Sequence, residues 1–482
     1  MIDYRVSFVG TVGDRRDPSV VLSVIEASEI IIVVDDAVAD MRETQVACER
    51  GADLLIRLFD HVRIAGNAPW LNPLNERLNK TRPIAKRKHE RTVVVGIGQV
   101  EADVYVGFHD WKAEVSLFEP PPVSAAPIGA LLAGPLIASE AFKAVFQDVI
   151  PEVYRASYAV DALTYGNQIS RAALPVLANE VDILIAGCGS VGFAIVDALV
   201  YWPVPLSGRV VLLDNGFVEE RNTYKYAWLP YELAVGGDAK VNLLKGRLEH
   251  AHPELQVIVE PKKVEEFDGD VPLVAVVSVD NLPARRQSQD IYTKHAINVA
   301  IEATRVEHAS MTYGDTACIY CYYHNSPEER LNYDVVAATV GRDQKWVEAM
   351  LRSNETLDDV TLRAIAQYRS SDAEPFLAFR GQPLRALLQR FPYAEATVSV
   401  GGVQARVSTA FVSSMAGTLG LVEALKLHTT DASAYRESLC ADMLGIFHRN
   451  NRKIPAKVED CAICASLPRQ QYYRKLWKTD CA

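Results

Sequence analysis

This 482-residue chain has no long run of Lys and Arg, and its formal net charge is −11. Binding a polyanion takes a concentrated positive footprint, so the charge balance argues against a nucleic-acid partner. Long apolar runs are missing as well. Stretches such as "IGALLAGPLIASEAF" fall short of the about 20 residues that span a bilayer. The N-terminus "MIDYRVSFVG" lacks the basic and then apolar region of a secretory signal. No membrane is expected as a partner, and the chain reads as cytoplasmic. Cysteine is scarce: eight residues are too few for a disulfide scaffold of this size. The rest is ordinary globular material, 49% hydrophobic and 23% charged, enough for roughly three domains.

The few cysteines are not scattered. Four form two tight pairs, Cys318 and Cys321 in "CIYC" and Cys461 and Cys464 in "CAIC". Two such knuckles supply four thiolates, the ligand set of a structural Zn²⁺ in a reducing compartment. The wide separation of the pairs means that the metal would join distant parts of one domain.

In "ILIAGCGSVGFAIVDALV", residues 183 to 200, an apolar run breaks into Gly187, Gly189 and Gly192 and resumes as a helix-like stretch. After a strand, this spacing is a nucleotide-binding fingerprint: one glycine for the tight turn, one for phosphate approach, one for helix packing. The strand 183–187, helix 191–201 and strand 208–216 make a βαβ unit ending near Asp214, where a ribose hydroxyl is held. Asn222, Lys225 and Lys240 follow within thirty residues. Two lysines and an amide beside such a turn suit a triphosphate better than a nicotinamide, whose site would need hydride-handling groups. Asp280 in "SVDN" ends a later buried strand, where a carboxylate can hold Mg²⁺.

Other segments organise the chain around that unit. Residues 309–321 read as a strand leading into the first cysteine pair, 325–395 as a helical insertion, and "ESLCADMLGIFHRNN" as a strand pair. The helix "SSMAGTLGLVEALKL" ends Glu423-Ala424-Leu425-Lys426 and echoes "APIGALLAGPLIASEAFKAVF", which carries Glu140-Ala141-Phe142-Lys143. Residues 91–107 read as paired strands without a complete glycine fingerprint. The fold expected is α/β, a Rossmann-like pseudodimer. A degenerate domain over 1–160 precedes an active domain over 161–482 that contains the insertion.

The run from Gly187 to Cys464 resembles the ThiF/MoeB and ubiquitin-activating superfamily. The likeness rests on "GCGSVG", "LLDNG", "RNTYK", "VGGDAK", "SVDN" and both CxxC pairs, in that order. The first half resembles the degenerate adenylation-like domain that precedes the active one in some bacterial ubiquitin-activating-like enzymes. The resemblance implies a Rossmann-like ThiF adenylation domain that uses ATP and Mg²⁺ to adenylate the C-terminal glycine of a ubiquitin-like protein. Gly187, Gly189 and Gly192 would hold phosphates, Asp214 the ribose and Lys240 the α-phosphate. Asn222 and Lys225 would hold the β/γ-phosphates, Asp280 the Mg²⁺, and the four cysteines a structural Zn²⁺. A ubiquitin-conjugating-like enzyme, or a second copy in a homodimer, would be a further partner. A sulfur carrier or peptide is the alternative substrate, and a carrier-binding pseudoenzyme the alternative without catalysis.

Three departures from the pattern stand out. Lys225 replaces the usual arginine. Asn167 in "YGNQI" stands where homodimeric relatives have an arginine, which Arg5, Arg15 or Arg16 of the first half would have to supply. The crossover segment "ARVSTAFVSSMAG" has no cysteine. Cys440 is expected on a buried strand and Cys481 in a polar tail, so a partner's thiol attacking the adenylate directly is the expectation.

Overall fold

The structure, a computed structural model, describes residues 18–478 apart from 82–89, 149–152, 154, 166–177, 303, 314–315, 324–335, 338–339, 354, 370–371, 385–386, 388–396, 401–402, 407–408, 430–437, 446–456 and 460. Arg5, Arg15, Arg16, Asn167, Cys481 and the second half of the expected strand pair near 446–450 lie outside the described residues. Residues 322–407 form one compact unit and the remaining described residues another.

The larger unit holds two sheets. The first begins with β1 (Ser28–Val34), whose run "SEIIIVV" is apolar enough to be covered on both faces. Helix α1 (Arg42–Leu55) returns the chain to β2 (His61–Ala65), and β3 (Arg91–Ile97), β4 (Val104–His109), β5 (Lys112–Ser116) and β6 (Tyr158–Asp161) complete the order β2-β1-β3-β4-β5-β6. Pairing is parallel from β2 through β4 and antiparallel for β4–β5 and β5–β6. The segment 91–107 thus holds paired strands, as expected, and the two run parallel. Between β5 and β6 runs helix α2 (Pro127–Phe146), buried over nearly its whole length.

The second sheet repeats that plan with one more strand. Its members are β7 (Glu180–Ala186), β8 (Ser207–Leu213), β9 (Leu255–Glu260), β10 (Val274–Val277), β11 (His295–Glu302) and β12 (Arg305–Thr312), joined by α3 (Ser190–Val200), α4 (Lys240–Ala251) and α5 (Leu282–Gln287). In the smaller unit, helices α6 (Gln344–Ser353) and α7 (Asp359–Tyr368) close over a core of Val336, Val347, Leu362, Ile365, Phe376 and Leu384, and β13 (Thr397–Val400) pairs with β14 (Val403–Arg406). The chain then re-enters the larger unit as helix α8 (Ala410–Leu427) and edge strand β15 (Ser438–Asp442), giving the order β15-β12-β11-β10-β7-β8-β9. Helix α9 (Leu467–Trp477) follows the second cysteine pair.

Helices α2 and α8 pack together at the centre, with Phe142 and Phe411 rings 5.8 Å apart. Both are long and apolar enough to cross a membrane by length and composition, and both are fully buried inside the protein. They run further than the apolar stretches in the sequence because their charges are paired internally. Lys143 contacts Glu140, and Lys426 reaches Glu423 at 2.5 Å, all four side chains fully buried. Tyr158 donates to Glu140 at 2.7 Å and Tyr165 to Glu423 at 2.8 Å. Pro135 inside α2 cannot donate to the carbonyl of Leu131, four residues back, and Arg50 of α1 donates to that carbonyl instead. The same guanidinium bonds Ser414 and Thr418 of α8 and Asp197 of α3, at 3.1, 3.0 and 3.2 Å.

Candidate functional site

The glycine turn follows β7 directly. Gly187 has φ +92°, and a Cβ there would come within 2.8 Å of the Val279 nitrogen. At Gly192 a Cβ would lie 2.0 Å from the Gly187 carbonyl oxygen, so the glycine lets α3 settle onto the turn. Gly189, the N-cap of α3, is different: nothing lies within 4 Å of a Cβ added there. Two glycines serve the backbone and the third leaves open space over a helix N-terminus, the place where an anion is favoured.

Asp214, just past β8, ties this turn to the start of α4. Its carboxylate accepts from the backbone nitrogens of Cys188 and Gly216, each at 2.7 Å, and lies 3.7 Å from the Lys240 ammonium. The Lys240 nitrogen donates to the Gly216 carbonyl at 3.1 Å. Burial, with Asp214 close by, pushes the Cys188 thiol well up, so this cysteine stays protonated and inert.

Asn222 and Lys225 sit on a single 3₁₀ turn, Glu220–Tyr224 and its C-cap. The Asn222 side-chain oxygen accepts from the Glu219 nitrogen at 2.7 Å, which orients its amide NH₂ away from the backbone. Burial, then the neighbouring Arg221, lowers the Lys225 pKa, while Glu219 and Asp280 oppose that shift. Asp280 therefore faces the Lys225 ammonium electrostatically. It is exposed just beyond β10, beside Asn281, which caps α5 through Ala284 at 2.9 Å. Below the turn, Tyr226 packs tilted against Phe193 of α3 at 4.3 Å, Trp228 stacks on it at 4.9 Å, and Arg247 covers Trp228 at 3.8 Å. Gly187, Gly189, Gly192, Asp214, Asn222, Lys225, Lys240 and Asp280 all fall beyond the carboxyl ends of the adjacent strands β10, β7 and β8 or on the segments that follow them. That is where open α/β sheets bind ligands.

The sequence pattern does not point to Arg57. It leaves the C-terminus of α1, in the first sheet's half, and inserts its guanidinium into the segment that carries Asn222 and Lys225, bonding the carbonyls of Thr223, Ala227 and Leu229. No local motif marks such a contact, because the partners lie about 170 residues apart.

The four paired cysteines converge. Their Sγ atoms lie within 4.8 Å of one another, with Cys318–Cys321 at 3.8 Å, Cys318–Cys461 at 3.7 Å and Cys321–Cys464 at 3.7 Å. A tetrahedron with metal–sulfur bonds of about 2.3 Å has edges near 3.8 Å, so these three separations match those of a Zn²⁺ site. Tyr313, Ile463 and Tyr473 surround it. Cys440 departs from expectation. It lies on β15 as read, but its side chain is half-buried rather than buried, because alternate residues of this edge strand face away from the core.

The profile of the ThiF family matches residues 165–462. A relative in Sinorhizobium fredii (strain NBRC 101917 / NGR234), the uncharacterized protein y4jF, is 23% identical over 439 residues, covering 83% of this chain and 82% of its own. Among solved structures, Escherichia coli MccB with ATP is 13% identical, with a TM-score of 0.38 over 75% of this chain and 98% of that one. The microcin C7 biosynthetic enzyme MccB in complex with N-formylated MccA is 14% identical, with a TM-score of 0.39 over 75% and 97%.

Proposed function

The chain belongs to the ThiF family of adenylating enzymes, and from that premise we propose that it uses ATP and Mg²⁺ to adenylate the C-terminal glycine of a ubiquitin-like protein, for transfer to a ubiquitin-conjugating-like enzyme. The observation that carries this reading is the joining of the glycine turn, Asp214 and Lys240 into one knot beside Asn222, Lys225 and Asp280.

In the reaction, a carboxylate oxygen of the carrier attacks the α-phosphorus, the Pα–O–Pβ bond breaks, and pyrophosphate leaves with the electron pair. The turn at Gly187 to Gly192 presents backbone N–H groups and a helix N-terminus to the phosphates. Lys240 stands at the α-phosphate, where negative charge builds during attack. Asn222 offers its NH₂ and Lys225 its ammonium to the β/γ end, so both stabilise the leaving group. Asp214, held by two backbone donors, keeps lone pairs for the ribose hydroxyls. Mg²⁺, held by Asp280, would offset triphosphate charge. The cysteine set would carry structural Zn²⁺, joining the 318–321 and 461–464 segments.

The test is ATP–pyrophosphate exchange dependent on a carrier. We expect exchange with a ubiquitin-like protein ending in glycine, and a loss of about 10²-fold or more in Asp280→Ala. Exchange with a peptide or sulfur carrier alone would reassign the substrate, and unchanged exchange in Asp280→Ala would remove that residue from the metal site. About one zinc per chain is expected by elemental assay, with Cys461→Ser lowering thermal stability and not just rate.

A further inference from the structure

We propose that Arg57, a residue of the half without a glycine turn, positions Asn222 and Lys225 and thereby sets how tightly the site holds the β/γ end of a triphosphate; this rests on the nucleotide reading given above.

Arg57 follows α1 by two residues and is 6% exposed. Its Nη1 donates to the carbonyls of Thr223 at 2.9 Å and Leu229 at 3.0 Å. Its Nε and Nη2 both reach the Ala227 carbonyl, at 3.1 and 2.9 Å, and Nε also meets the Asp53 carbonyl of its own helix at 3.2 Å. The three accepting residues bracket Lys225, and Thr223 directly follows Asn222. These carbonyls belong to buried residues, Thr223 near the end of the 3₁₀ turn and Ala227 and Leu229 in the irregular stretch after it, where no strand ladder satisfies them, and a buried carbonyl without a donor is costly. One planar fork therefore fixes the path of 223–229 at three points. Lysine cannot replace it, since an ammonium on a flexible stem cannot reproduce the fixed directions of a guanidinium.

Arg50 provides the contrast. It lies within α1 and is buried as well, but its hydrogen bonds go to α2, α3 and α8 and not to the 222–229 segment. If the first half acted on the site only by general packing, the two arginines would be interchangeable in effect. If Arg57 positions the phosphate ligands, only its loss would separate nucleotides by their phosphate tails.

The experiment is calorimetric titration of the full-length chain with MgATP and with AMP, for wild type, Arg57→Lys, Arg57→Ala and Arg50→Met. In both Arg57 variants MgATP affinity should fall about tenfold while AMP affinity stays unchanged, because AMP has no β/γ-phosphates for Asn222 and Lys225 to meet. Amide exchange in 222–229 should rise in Arg57→Lys, a variant mild enough to keep the fold should Arg57→Ala lose it. Arg50→Met should melt earlier with the ratio of the two affinities unchanged. The inference is overturned if MgATP and AMP affinities fall together in Arg57→Lys, if neither falls, or if Arg50→Met shifts their ratio as much. Failure of the wild-type chain to bind either nucleotide would overturn the nucleotide reading itself, a result distinct from these three.

Discussion

The two sheets of the larger unit follow one plan, and the places where they part show what a nucleotide site requires. The order β2-β1-β3-β4-β5-β6 matches β8-β7-β10-β11-β12-β15 strand for strand, with parallel and antiparallel pairings in the same sequence. Helix α2 falls between β5 and β6 as α8 falls between β12 and β15, and both carry Glu and Lys three apart. Among the described residues, the first sheet lacks a counterpart of β9, and six residues take the place of α5 between β3 and β4. At the position of Gly187, immediately after the first strand, stands Asp35. Its carboxylate accepts from Ala37 at 2.9 Å and Gln99 at 2.7 Å, which holds its pKa below the usual carboxylate range. A fixed negative charge thus stands two residues before the position at which the second half, at Gly189, leaves room for phosphate. The frame is common to both halves; the site depends on one turn and the segments after β8.

Exchanging the turn residues gives the largest expected effect. Gly187→Asp should abolish measurable MgATP binding, both through repulsion and because a side chain at this positive φ costs about 1–2 kcal/mol. The converse change, Asp35→Gly, should create no binding, since among the described residues the helix after β2 begins at Leu71 where its counterpart after β8 begins at Lys240. Calorimetry reads both, and nucleotide binding at an Asp35→Gly turn would break the comparison.

The buried pairs should show the halves as equals. Lys143→Met and Lys426→Met each leave a fully buried carboxylate unpaired, and each should cost about 3–5 kcal/mol in urea unfolding. Replacing both partners of either pair with apolar residues should cost much less. A large cost on one side only would mean that the shared sequence Glu-x-x-Lys hides different roles.

The smallest effect sharpens the difference on the active side. Lys225 has its pKa lowered by burial, and a triphosphate beside it restores the charged form. Between the lowered and the restored pKa, ATP binding should take up a fraction of a proton, more as pH rises through the lowered value, and affinity should weaken accordingly. Titration in buffers of different ionisation enthalpy measures this. Lys225→Arg, always charged, should bind ATP without the uptake.

Much of this was legible in the sequence because it is written in local spacing. Gly187, Gly189 and Gly192 mark the turn, and the paired cysteines mark their own convergence. The apolar runs of β7, β8 and β10 and the repeated Glu-x-x-Lys mark the frame. What was not legible is set by distant partners. Strand β11 carries polar residues within an apolar pattern and owes its place to β10 and β12. Arg50 and Arg57 look like surface charges on a helix until the second half closes over them. The exposure of Cys440 follows from the strand at its edge and from nothing in "ESLCADM".

The pairing of α2 with α8 also bears on how the chain is made. Phe146 leaves the ribosome 264 residues before Ala410. At about 5–20 residues per second this is roughly 13–50 s during which the apolar flank of α2 that meets α8, the rest of α2 being packed on α1 and β3–β5, waits for its partner. For that interval the nascent chain offers this apolar flank to whatever is near, and truncated products ending before residue 410 would keep offering it.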